Sequence, residues 1–394
     1  MKTPQAILRT ITSLLAILFL AASTASASPA EYHGKYLVYV GTYTEGGPTS
    51  KGIYAYRYDA ASGDLTSLGL AAETTNPSFV AVHPNHRFLY AVNEVPNYKG
   101  PNSGGVSTFA IDSATGKLTF LNEVPSRGAD PCYIIVDKNG KYVLVANYTG
   151  GSVATFPILA DGRLGEASAF VQHAGHGANP ERQEAPHAHS IDLSSDHKFA
   201  MVDDLGLDEL LVYRFDTAKG SLTPNDPPFA KVDAGSGPRH FALRPDGKFA
   251  YVVSEIKGTV TVFTNNAKTG SLQTVQTIST LPKDFTGAIE DAEIQIHPSG
   301  KFLYASNRGN GNSIAVFAVD GDKGTLTTVE IVPTQGKTPR SFEIDPTGSL
   351  LFAANQESNN IVIFRIDPKT GRLTPTGKVL EVASPVCVKF VAID

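Results

Sequence analysis

The chain has 394 residues, of which 41% are hydrophobic and 18% charged, enough apolar material for a large core and too much for a disordered chain. Its formal net charge of −5, with no run of Lys and Arg to follow a phosphate backbone, argues against a nucleic-acid partner. With 36 Gly, 25 Pro and no Trp, the composition is that of a turn-rich, all-β protein.

The first element is a targeting segment. Lys2 and Arg9 precede an apolar run from Ile11 to Ala22, and Ala25, Ser26 and Ala27 supply the small residues that signal peptidase requires. Residues 1–27 therefore read as a secretory signal and residues 28–394 as the mature domain. The run is shorter than the roughly 20 residues of a spanning helix, so no stable membrane insertion is expected after cleavage. The mature protein is expected to be exported, either periplasmic or secreted.

From Tyr36 onward one unit recurs about every 50 residues. The units open on short apolar strands at Pro77, Pro131, Pro186, Pro238, Ala292, Pro339 and Pro385. Tight turns follow: HPNHR (83–87), DKNGK (137–141), SSDHK (194–198), RPDGK (244–248), HPSGK (297–301) and DPTGS (345–349). Gly, Asn and Asp at those places supply the left-handed backbone that hairpins need. Next come a strand such as FLYAVNE, a Gly-rich loop, a strand such as VSTFAID and a turn such as ATGKL.

Four short strands per repeat is the pattern of propeller blades. The first unit, Tyr36 to Asn76, lacks its opening strand, and the last, PVCVKFVAID, has only that strand. Joined, they make one blade more. The prediction is an all-β, seven-bladed β-propeller whose ring is closed by the C-terminal strand joining the N-terminal blade, leaving no open sheet edge.

In such a fold the first strand of each blade lines the channel and the second returns antiparallel to it. The start of the one and the end of the other therefore share a rim. The residues after the unit starts are Ser78, Cys132, His187, Arg239, Glu293, Arg340 and Val386. The second strands end at Gly41, Asn93, Asn147, Asp204, Ser254, Asn307 and Asn355, followed by Thr42, Glu94, Tyr148, Leu205, Glu255, Arg308 and Gln356. The ionisable exceptions, His187, His189, Asp204, Arg239, His240, Glu255, Glu293, Arg308 and Arg340, are expected at one mouth. The four Asn are expected to satisfy loop backbone. Arginines converging on a narrow mouth repel one another unless carboxylates or an anionic ligand compensate them, and Arg suits a carboxylate or phosphate.

The longest insertion, FVQHAGHGANPERQEA (170–185), leads into the channel strand of the fourth blade and is expected to overhang the same mouth, bringing Arg182. Its His173 and His176, with His187 and His189, raise a metal site. No carboxylate or Cys has ligand spacing with them, so neither a metal nor another cofactor is assigned. His83, His86, His197 and His297 at the blade turns are expected at the surface. Cys132 and Cys387 fall in non-adjacent blades, on opposite strand faces, and are expected as buried thiols without a disulfide.

The strings PHAHS (186–190), DDLGLDEL (203–210), GSGPRHFALRPDGKFAYVVSE (235–255), LYASNRG (303–309) and PRSFEIDPTG (339–348) resemble those of the lactonase family of seven-bladed propellers. That family includes the propeller type of 6-phosphogluconolactonase and the fungal carboxy-cis,cis-muconate cyclising enzymes. The resemblance covers essentially all of the mature chain. It implies a channel-mouth site, no required cofactor, and a His, Arg, Glu and Arg set falling on the PHAHS histidines, Arg239, Glu255 and Arg308. His187 and His189 both remain open as the histidine. 6-Phosphogluconolactone is a cytosolic metabolite, so the export signal sets it against another sugar or acid lactone.

Three functions fit these residues. One is hydrolysis of a lactone, with Glu255 or His189 as general base and the arginines holding the anionic group and the developing oxyanion. The second is a muconate-type cycloisomerase, which moves a proton without adding water. The third is a non-catalytic secreted propeller acting as a binding module. The charged mouth favours an enzyme. The catalytic set is His187, His189, Arg239, Glu255 and Arg308. Arg340, Glu293, His240, Asp204 and Arg182 are the substrate-binding set, and the partner is a small anionic lactone or sugar acid.

Overall fold

The computed structural model describes residues 34–45 and 50–393, together with Met1; the signal segment lies outside the described residues. Those residues form seven four-stranded antiparallel sheets, the blades of a propeller. Six blades are consecutive meanders. The first is composite: Pro385–Ile393 pairs with Lys35–Thr42, which pairs onward to Gly52–Asp59 and Asp64–Glu73. The innermost strands of blades one to seven are Pro385–Ile393, Val80–Val82, Pro131–Val136, Ala188–Leu193, Pro238–Leu243, Asp291–Ile296 and Pro339–Ile344. Each packs against the innermost strand of the next, and the seventh against the first, which closes the ring.

The core follows from this stacking. A second strand has a neighbouring blade on both faces, so it is buried at every residue and does not alternate. Phe88–Asn93, Tyr142–Asn147, Phe249–Ser254 and Leu350–Asn355 all show this. Outer strands such as Leu118–Pro125 are mostly half-buried or exposed. Burying each large apolar side chain stabilises the fold by about 1.5–3 kcal/mol.

The turn glycines of the ATGKL type have a specific task. Second-strand tyrosines reach into the next blade and donate to their carbonyls: Tyr90 Oη to Gly162 O (2.9 Å) and Tyr251 Oη to Gly324 O (3.1 Å). Gly162 and Gly324 have φ of 88° and 69°, and a Cβ there would come within 2.3 Å of Phe88 and 2.2 Å of Phe249. Only glycine accepts both the left-handed backbone and the close approach.

The blade-turn histidines correct one expectation. His86 is exposed, but His197 and His297 are buried, and three of the four bridge adjacent blades. His83 Nε2 lies 3.1 Å from Gly140 O, His297 Nε2 lies 2.8 Å from Gly348 O, and His197 Nδ1 lies 3.8 Å from Asp137. Each turn opens beneath the turn of its neighbour, so a ring there spans the seam instead of meeting water. Cys132, in blade three, and Cys387, in blade one, are free and buried.

Candidate active site

Strand pairing sets the rim. Pro131 lies opposite Asn147, Ala188 opposite Asp204, Pro238 opposite Ser254, Asp291 opposite Asn307 and Pro339 opposite Asn355. One step inward the register of each inner strand shifts, and the extra residue in blades three, four, five and seven is Cys132, His189, Arg239 and Arg340. A bulge of this kind re-aims a side chain out of the strand's alternation.

The proline-based count is corrected in three blades. Pro186 is still in the loop, because blade four enters its strand at Ala188; His189, not His187, shares the register of Arg239 and Arg340. Blade six begins at Asp291, so Glu293 falls one step deeper, its N–H donating to Ser306 Oγ (3.0 Å). In blade one Thr42 faces Pro385, so Thr42 takes the strand-end position expected for Gly41, and Tyr43 follows it.

Glu255 is the hub. Its Oε1 accepts from Arg182 Nη2 (2.5 Å), and its Oε2 accepts from Arg239 Nε (3.0 Å) and Arg308 Nη2 (2.8 Å). Burial alone would raise its pKa, but Arg308, Arg239 and Arg182 outweigh that and hold it at about 2. Both oxygens of this carboxylate are taken up by guanidinium donors, which leaves neither free to accept a proton from water. The expectation of Glu255 as general base therefore gives way to that of an anchor for three guanidinium groups.

Arg239, His240 and Arg340 wall a small cavity, together with Ser78, Phe79, Glu94, Cys132 and Val386. Arg340 makes no ion pair or side-chain hydrogen bond among the described residues; its guanidinium lies 5.3 Å above the ring of Tyr43. His189, 4% exposed, packs edge-on against His240 at 5.2 Å, with its Nδ1 3.8 Å from Cys132 Sγ. Its Nε2 has no partner among the described residues. Burial first, then Arg239, His240 and Arg340, hold the His189 pKa well below the histidine range, so the ring is neutral.

Of the ten expected site residues, Arg239, His240 and Arg340 line this cavity, and His187, Asp204 and Glu293 are engaged elsewhere. His187 stacks on Tyr148 at 4.6 Å and bridges Tyr148 O and Glu184, both at 3.2 Å. Asp204 accepts from His173 Nδ1 (2.6 Å), His187 N (2.8 Å) and Gly206 N (3.0 Å), which clamps the insertion to its blade. Glu293 sits behind His240, 3.1 Å from its Nδ1. Arg182 does descend from the insertion to the mouth. His173 is occupied by Asp204, and His176 is exposed with its Nδ1 against Gly177 O. Among the described residues no three His, Cys, Asp or Glu side chains gather as a metal site.

Sequence reasoning missed Tyr43, Ser78 and Glu94. Glu94 accepts from Tyr43 Oη (2.9 Å) and from Ser78 Oγ. A signal for Glu94 existed, because it holds the register of Glu255 and Arg308. The four strand-end Asn donate to loop carbonyls instead, as Asn147 Nδ2 does to Ser126 O (3.2 Å) and Asn307 Nδ2 to Thr280 O (3.2 Å).

The model of the family described as "Lactonase, 7-bladed beta-propeller" matches residues 37–390. The 6-phosphogluconolactonase of Bacillus subtilis is 40% identical over 356 residues, covering 90% of this chain and 98% of that protein. The 6-phosphogluconolactonase of Formosa agariphila is 35% identical over 338 residues, covering 85% and 94%. Among solved structures, the periplasmic gluconolactonase PpgL of Pseudomonas aeruginosa is 36% identical, with a TM-score of 0.85, over 91% of this chain and 100% of that one. The chain therefore belongs to the lactonase family of seven-bladed β-propellers.

Proposed function

We propose that the chain is a lactone hydrolase acting at this mouth, with an unphosphorylated sugar lactone as substrate and the open-chain sugar acid as product. One observation carries the reading. His189, neutral and with an unpartnered nitrogen, stands beside a cavity walled by two arginines, of which Arg340 has no carboxylate partner.

In this reading His189 Nε2 takes a proton from water as the water oxygen attacks the lactone carbonyl carbon. The carbonyl electron pair moves onto oxygen, where Arg239 faces it. That oxyanion is also the counter-charge that stabilises the newly formed imidazolium. Collapse restores the C=O and breaks the ring C–O bond. The leaving alkoxide takes the proton from His189, and the new carboxylic acid releases its own to solvent. Arg340 holds the resulting carboxylate.

Arg340 has no direct ion-pair partner, and Glu94 lines the same cavity with its negative charge acting on it, which suits hydroxyls and a single carboxylate better than a phosphate dianion. The names of the relatives divide on this point. The Bacillus and Formosa proteins are named for the phosphorylated lactone, the Pseudomonas protein for a gluconolactone of the periplasm. The signal read from residues 1–27 sides with the latter, and export is part of the proposal.

Acid release from glucono-δ-lactone and from its 6-phosphate, measured by pH-stat above spontaneous opening, tests this. The expected result is faster turnover of the unphosphorylated lactone. A preference for the phosphate ester would replace the substrate and keep the reaction. No release above background from either would overturn the hydrolase.

A further inference from the structure

Glu293 and His240 lie behind Arg239, and their hydrogen bonds permit one protonation pattern. Both are buried, at 5% and 2% exposure. Glu293 Oε1 stands 3.1 Å from His240 Nδ1, and the same carboxylate accepts from Ile294 N (3.1 Å) and Ser341 Oγ (3.3 Å). A carboxylate accepts, so Nδ1 carries the proton. On the far edge of the ring, Nε2 stands 3.2 Å from Arg239 Nη1. A guanidinium only donates, so Nε2 is a bare lone pair. Both neighbours impose the same neutral tautomer. Tyr133, His189 and Phe79 pack around the ring at 4.9, 5.2 and 5.9 Å, which restricts its rotation.

The donors of Arg239 can then be counted. Nη1 gives its hydrogens to His240 Nε2 and Ala292 O, and Nε gives its hydrogen to Glu255 Oε2. Nη2 has no partner among the described residues, and Arg239 lines the cavity. We infer that Glu293 is a positioning residue: through His240 it fixes the guanidinium plane of Arg239 so that Nη2 is the group offered to the anionic oxygen of a ligand. A proton on His240 Nε2 would face the Nη1 donor, break that contact and release the plane. The inference deepens the lactone reading, and its kinetic half rests on that reading.

Long-range ¹⁵N–¹H NMR of the mature protein labelled at histidine, without substrate at pH 7, tests the first half. The His240 signals are assigned by their loss in His240→Gln. The expected state is neutral with the proton on Nδ1; a proton on Nε2, or an imidazolium, overturns the inference whatever the enzyme does. Glu293→Gln tests the second half. It should redistribute the His240 tautomers and lower kcat/KM on glucono-δ-lactone about 10²-fold, the scale of a misplaced contact. Glu293→Asp, which keeps the charge, should recover part of that loss. A redistributed tautomer with unchanged kcat and KM overturns the link to Arg239. If Glu293→Gln does not fold, the wild-type spectrum still decides the tautomer. If the wild type releases no acid, the lactone reading fails while the spectrum still decides this one.

Discussion

The two ends of the inner hairpins bury polar groups in opposite ways. At the turn end the same position does the same job in blades three, four and seven. Asp137 Oδ1 accepts from Lys141 N and Tyr142 N, Asp345 Oδ1 accepts from Ser349 N and Leu350 N, and Ser194 Oγ accepts from Phe199 N. Each group closes its own turn and asks nothing of a ligand. At the mouth the strand-end Asn repeat, but the charged groups do not: three arginines share Glu255, a fourth has no carboxylate in hydrogen-bond reach, and one histidine keeps an unpartnered nitrogen. In a repeat protein, a polar group that recurs and is satisfied belongs to the fold. One that departs from the repeat and stays unsatisfied belongs to the site.

Mutation can break that contrast. The largest effect should come from His189→Ala, with turnover falling roughly 10²–10⁴-fold, as for a lost general base, while thermal unfolding stays close to wild type. His187→Ala in the same acid-release assay should lose far less, since His187 is tied to Tyr148 and Glu184.

Glu255→Gln should cost both activity and about 3–5 kcal/mol of stability, because the buried guanidinium groups of Arg239 and Arg308, and the partly exposed one of Arg182, lose their counter-charge. The wild-type pH dependence has the matching sign. The folded pKa of Glu255, about 2, lies below its ordinary value of 4.5. Its stabilisation is therefore complete above pH 4.5 and is lost as pH falls towards 2, about 3 kcal/mol in all. Urea midpoints at pH 6 and pH 3 should show a smaller difference in Glu255→Gln than in wild type.

At the other end, Asp345→Ala should lower stability by about 1–3 kcal/mol, by orphaning two backbone N–H groups, and leave kcat and KM unchanged. Arg340→Ala should do the reverse, raising KM about tenfold with little change in urea midpoint, because it removes a cation that makes no direct ion pair or side-chain hydrogen bond among the described residues. The smallest effect should be that of a chelator. Prolonged dialysis against EDTA should leave acid release intact; activity lost to EDTA and restored by a divalent ion would revive the histidine metal site.

The repeat made the fold legible, because turn strings and short apolar runs are local. Arg239 and Arg340 were legible for the same reason: Pro238 and Pro339 do open their strands. His189 was harder to separate from His187, because Pro186 imitates a strand start while the insertion before it is still being clamped by Asp204 and Gln183. The anchoring role of Glu255 was out of reach. It depends on which carboxylate the three arginines share, a matter of side-chain geometry that no periodicity encodes. Tyr43 was lost to a one-residue slip at the bulge opposite Val386, where the count of blade one ended too early.

The composite blade has a consequence for how activity arises. Six blades are meanders of neighbouring segments and can form locally, whereas pairing Lys35–Thr42 with Pro385–Ile393 means closing a loop of nearly the whole chain, an entropic cost that local hairpins avoid. Ring closure is therefore expected to be the late event in folding. The cavity straddles that very seam: Arg340 of blade seven rests on Tyr43 of blade one, Tyr43 N donates to Ser384 O, and Val386 forms part of the wall. Catalytic competence and topological completion should thus appear in a single step, so that the first turnover after refolding times the closing of the ring.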